Sequence, residues 1–132
     1  MSELRGKVVI VHFYAFECVN CKRNLPIYAQ WADRYKERDV AIIGIQTPET
    51  SAEADPKAVR SAATADRIQY PVLIDLERKN WKAWANTMWP TVYVIDRQGY
   101  IRFWWQGELR WQGASGDKTV QETIEALLKE GK

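Results

Sequence analysis

The chain has little cysteine: two residues in 132, at positions 18 and 21. That is too few for a disulfide scaffold, and a bridge between them would close too short a loop to restrain the unfolded chain much. A chain of this length can bury a hydrophobic core without staples, so the pair has some other purpose. There is a single histidine. Two thiols and one imidazole fall short of the four ligands of a structural zinc site, and no metal is expected. Long apolar runs are also missing: none approaches the ~20 residues that span a bilayer. The opening MSELRGK lacks the apolar stretch of a secretion signal, so the chain as given reads as a soluble domain. Charge of one sign is not in excess, with 19 basic residues scattered among 17 acidic ones. Nucleic-acid binding therefore has no electrostatic support. Repeats, low-complexity segments and linkers are absent, and a single domain over residues 1–132 is expected, either whole or excised from a longer protein.

What the chain does have is an alternation of buried-type strands and helical patterns. Residues 7–14 (KVVIVHFY) form a continuous β-branched and aromatic run, the pattern of a strand covered on both faces. After Cys21, apolar residues at 25, 28, 31, 32 and 35 predict an amphipathic helix to about residue 37, kinked at Pro26. Residues 40–45 predict a second buried strand. Asp55-Pro56 reads as an N-cap with Pro at the first helical position of a helix to about residue 67. A short strand at 71–75 follows, then a helix over 77–86 carrying Trp81 and Trp84. Residues 91–96 and 100–105, separated by Arg97-Gln98-Gly99, predict an antiparallel hairpin. A last helix, capped by Asp117 and ended by Gly131, buries Val120, Ile124, Leu127 and Leu128. The sum is an α/β sandwich with a mixed sheet and helices on both faces. Seven tryptophans read first as core and near-site packing, with an aromatic substrate groove as the alternative.

The chemistry resides in Glu17-Cys18-Val19-Asn20-Cys21, at the junction of strand and helix. A first cysteine at a helix N-terminus meets unpaired backbone N–H groups and the positive end of the dipole, which favour its thiolate. The thiolate is the species that attacks disulfides, and such placement lowers a thiol pKa from about 8.5 into the range ~3.5–7.5. Cys21, one turn on, would resolve the mixed disulfide formed at Cys18.

LRGKVVIVHFYAFECVNCKRNLP, YPVLID and MWPTVYVIDRQGYIRFWWQGE together resemble the TlpA-like branch of the thioredoxin superfamily, and within it the DipZ-like group. The resemblance implies a thioredoxin-like three-layer sandwich with an αβ insertion at about residues 50–75. It further implies a thiol-disulfide oxidoreductase with no cofactor beyond the Cys18–Cys21 pair. Pro90 would be a cis proline facing the cysteines, flanked by Trp89 lining a docking groove and by Thr91. The setting would be extracytoplasmic, with protein thiols and disulfides as substrates and a thiol-reducing or membrane partner as electron donor. A monomer, soluble or membrane-anchored in a longer protein, is expected.

Two positions depart from the family pattern. Glu17 stands where Trp is usual, and its charge would oppose a thiolate at Cys18. His12 stands where many members keep a buried acid that relays the proton of the second thiol; an imidazole can act as that base or be a satisfied core residue. Two other activities stay open on sequence: a redox-inert or Cu(I)-handling module, since two thiolates suffice for a linear copper site, and a weak thiol peroxidase. Against the peroxidase, Ala15 occupies the place of the hydroxyl residue three before a peroxidatic cysteine.

Overall fold

Alternation along the first strand, β1 (Val8–Tyr14), places Val8 and Ile10 in one apolar cluster and Val9, Val11 and Phe13 in another. Successive side chains of a strand point to opposite faces, so a strand buried on both sides must lie inside a layered structure. The computed structural model describes residues 4–130. In it, β1 is the central strand of a five-stranded sheet of order β3-β2-β1-β4-β5. Its parallel neighbour is β2 (Val40–Gln46), itself parallel to β3 (Val72–Ile74); its antiparallel neighbour is β4 (Thr91–Ile95), which pairs with the edge strand β5 (Ile101–Gln106).

The helices cover both faces. On one, α1 (Val19–Arg34) contributes Ile27, Tyr28 and Trp31, and the last helix contributes Val120, Ile124 and Leu127. On the other, Trp81 from a short helix packs with Phe13 and Tyr93, supported by Trp84 and Trp89. The insertion expected at 50–75 is present as a 3-10 turn (Ser51–Ala54), α2 (Pro56–Ala65) and β3. Asp55 caps α2 through Lys57 N–H, with Pro56 at the first helical position.

Several expectations need correction. α1 ends at Arg34 instead of residue 37, because Tyr35 drops out of helical geometry and is buried. As expected, it contains Pro26 in its interior. Pro26 is on the exposed side, where the carbonyl it deprives of a partner can meet water. The helix expected at 77–86 is only α3 (Lys79–Ala83). It is entered through a left-handed Arg78 and followed by a left-handed Ala85, which leaves Trp84 at the cap. The final helix, α4, covers Gly116–Glu130. Asp117 lies in its first turn and pairs with Arg110 at 2.8 Å instead of capping it. The expected stop at Gly131 lies outside the described residues. In the hairpin, Gly99 takes φ +95°, a conformation that favours glycine. Beyond it β5 leaves Ile101 and Trp104 exposed on the sheet edge, with Arg102 between Ile101 and Phe103.

Candidate active site

Cys18 is the N-cap of α1, with extended backbone, and its Sγ accepts the Cys21 N–H at 3.2 Å. A sulfur thus takes the place of the side-chain oxygen that usually satisfies this donor. The Cys21 thiol donates to the same Sγ, with the sulfurs 2.6 Å apart. Cys18 is partly exposed and Cys21 is buried; both are free thiols. The hydrogen bond from Cys21 lowers the Cys18 pKa to about 7, against partial burial and the Glu49 carboxylate and with help from the Cys21 and Asn20 N–H groups. Burial, followed by the bond to Cys18, pushes the Cys21 thiol far upward. The pair is therefore differentiated: an accessible sulfur that ionises near neutrality and a shielded one that keeps its proton.

One flank of Cys18 is polar and tied down. The buried Gln46 side chain, at the end of β2, accepts the Phe16 N–H at 3.3 Å. The buried Glu53 accepts the Glu17 N–H at 2.7 Å on Oε2, and the Glu49 and Thr50 N–H groups at 2.9 and 2.8 Å on Oε1. Thr50 Oγ1 lies 2.9 Å from Glu17 Oε1 and 3.1 Å from Glu53 Oε1. On sequence, Glu17 is either a charge opposing the thiolate or a solvated residue without a role. In the structure Glu49 opposes it, while Glu17 engages the insertion.

The other flank is apolar and open. The Trp89–Pro90 bond is cis, Pro90 O accepts the Gly107 N–H at 2.7 Å, and buried Thr91 Oγ1 donates to Met88 O at 2.7 Å. Trp89 stacks on Trp81 with ring centroids 3.8 Å apart and donates its indole N–H to Thr47 O. A cavity of about 400 Å³ beside the cysteine loop is lined by Asn20, Met88, Trp105, Gln106, Glu108 and Trp111 among others. The tryptophans thus divide: Trp31 and Trp81 are buried, whereas Trp104 and Trp111 are exposed. A larger groove of about 770 Å³ between α1 and residues 66–73 contains neither cysteine. Buried Asn24 joins α1 to this flank, accepting the Leu109 N–H at 3.0 Å and donating to Tyr28.

His12 is fully buried behind α1, stacked on Tyr28 at 4.1 Å, with Nε2 at 2.7 Å from the Tyr70 hydroxyl. Its Nδ1 has no hydrogen-bond partner among the described residues. Burial lowers its pKa to about 3, so the ring is neutral at physiological pH. Among the described residues no group of three or more His, Cys, Asp or Glu is placed to hold a metal ion, and no helix is long and apolar enough to cross a membrane.

Gln46, Glu53, Asn24 and Met88 were not singled out from sequence. Thr50-x-x-Glu53 carried a local signal, the spacing of a capping box, in which the glutamate reaches back to the cap N–H.

Comparison with known proteins agrees with this geometry. The chain is 37% identical over its whole length to protein DipZ of Mycobacterium tuberculosis, of which it spans 18%. It is 24% identical to the thiol-disulfide oxidoreductase YkuV of Bacillus subtilis, over 94% of this chain and 79% of that one. A thiol-disulfide isomerase from Corynebacterium glutamicum superposes with a TM-score of 0.84 at 24% identity, covering 96% of this chain and 84% of its own. A secreted Mycobacterium tuberculosis disulfide oxidoreductase homologous to DsbE superposes at 0.73 and 21% identity, covering 96% and 86%. Residues 1–104 match the AhpC/TSA family. The chain belongs to that family and has a thioredoxin-like fold.

Proposed function

We propose that the domain exchanges disulfides with protein partners outside the cytoplasmic membrane, using the Cys18–Cys21 pair as its only redox group and acting as a monomer. The observation that carries the mechanism is the asymmetry of the pair, with Cys18 lowered to about 7 and Cys21 buried behind it at 2.6 Å. The Cys18 thiolate attacks a substrate disulfide; a Cys18–substrate S–S bond forms, the substrate S–S bond breaks, and the released thiolate takes up a proton. Cys21 gives up its proton to a base and attacks Cys18 Sγ. The second substrate thiol leaves, and the pair ends as a disulfide, two electrons having passed to the substrate. The reverse sequence oxidises a dithiol. A thiol-reducing or membrane-bound donor returns the pair to the dithiol.

The cavity of Met88, Trp105 and Trp111 receives apolar side chains flanking the substrate cysteine, while Pro90 and Thr91 hold the adjoining loop. Extended substrate backbone aligns beside the cis-proline segment by strand addition. His12, held neutral by burial and bonded to Tyr70, is tested as that base by His12→Ala: an unaltered pH profile of disulfide reduction removes it from the role and leaves it a core residue. The activity itself is checked with insulin and dithiothreitol. Acceleration abolished by Cys18→Ser is expected. No acceleration, or acceleration that survives the substitution, would exclude exchange and leave copper binding, measurable by Cu(I) titration. The peroxidase reading has no hydroxyl at Ala15, which is fully buried.

A further inference from the structure

Residues 16 and 17, immediately before the nucleophile, connect the end of β1 to the cap of α1 and lie in neither element. Backbone N–H groups in such a connection need partners or water. Both are taken by side chains that reach in from elsewhere: Phe16 by Gln46 at 3.3 Å and Glu17 by Glu53 at 2.7 Å. The Gln46 side chain also donates to the backbone carbonyl of Glu53, with Nε2 3.4 Å from O. Both residues are fully buried. A buried carboxylate is costly unless its oxygens are saturated with donors, and Glu53 meets that condition with three N–H groups. It spends its two oxygens unequally: Oε1 holds its own turn through Glu49 and Thr50, and Oε2 is directed to the active-site loop.

The structure assigns Glu53 and Gln46 as positioning residues of the redox site, which clamp residues 16–17 to the insertion and thereby set where Cys18 Sγ lies relative to the α1 N-terminus. The assignment rests on Cys18 being the exchanging thiol. Its physical basis is that the favourable bonds to Cys18 come from the Cys21 and Asn20 N–H groups and the Cys21 thiol. Such bonds weaken steeply with distance and misalignment. A cap residue whose preceding segment is free to shift samples poorer geometry, and misplacement by ~1 Å costs on the order of a hundredfold in related situations.

Glu53→Gln tests this with little change of shape. An amide offers one acceptor where the carboxylate offered two. The carbonyl will turn to the side with two N–H groups, Glu49 and Thr50, leaving NH₂ against the Glu17 N–H. Cys18 alkylation by iodoacetamide is followed against pH, alongside insulin turnover and the thermal midpoint. We expect the alkylation midpoint to rise and kcat/KM to fall about tenfold, the equivalent of one good hydrogen bond. Gln46→Met, which removes the longer bond to Phe16 but retains apolar bulk, shifts the midpoint in the same direction by less. It also decides the question if Glu53→Gln fails to fold. A lowered thermal midpoint with unchanged alkylation profile and turnover would reduce both residues to structural supports and overturn the assignment. Wild-type protein that alkylates with a midpoint near 7 but turns over no insulin would instead overturn the exchange reading and leave the clamp readable by alkylation alone.

Discussion

The two flanks of Cys18 are built on opposite principles. On the insertion side, residues 16–17 are held by buried polar side chains with every oxygen of Glu53 engaged. On the cis-proline side, Met88 and Trp111 are exposed around a cavity of about 400 Å³ whose surface is mostly apolar, with Asn20, Gln106 and Glu108 also in its lining. Directional bonds fix position, whereas apolar surface accepts many side chains with little geometric demand. The difference teaches a division of labour: one flank aims the sulfur and the other receives what it attacks.

Perturbations of this division should rank as follows. Cys18→Ser removes the only accessible thiol and should cut insulin reduction by ~10³ or more, since an alcohol cannot replace a thiolate nucleophile at neutral pH; this leaves both flanks intact and sets the floor. Next, alkylation of Cys18 should rise about tenfold per pH unit up to a plateau above pH 7, following the fraction of thiolate. A midpoint near 9 would mean that the polar flank and cap do not act on it. A third effect separates the site from the core behind it. Folded His12 stays neutral down to about pH 3 while the unfolded chain protonates it near 6.5, so stability falls as pH drops from 6.5 toward 3. The slope is about 1.4 kcal/mol per pH unit. Denaturant titrations should show that slope reduced in His12→Phe. The smallest effect belongs to the open flank. Met88→Ala or Trp111→Ala should raise KM for a protein substrate ~3-fold with kcat and the alkylation profile unchanged, the loss of part of an apolar contact. A changed alkylation profile there would break the division.

The active-site helix and its cysteines were legible because their signals are local: a buried-strand run, a C-x-x-C and then apolar spacing of three and four. The whole mixed sheet followed from similar runs, and the cis Pro90 from family resemblance. What could not be read acts across the chain. Glu53 holds Glu17 from 36 residues away, Gln46 holds Phe16 from 30, and Asn24 holds Leu109 from 85. A capping-box spacing announces that Glu53 turns back on its own turn, but not that its second oxygen serves the nucleophile's loop. The same holds for His12, whose burial was evident while its partner Tyr70, 58 residues on, was not. The α3 region failed for a different reason: its tryptophans suit a helix, but left-handed Arg78 and Ala85 end it within five residues.

At the edge of the sheet, β5 presents Ile101 and Trp104 to solvent with Arg102 between Ile101 and Phe103, bridging Asp96 at 3.2 Å and Glu130 at 3.0 Å. An unpaired strand edge invites another strand, and charge set into it discourages that pairing. Arg102 therefore sets a charge, anchored at two carboxylates, into an otherwise apolar rim, the kind of feature that disfavours strand-to-strand association.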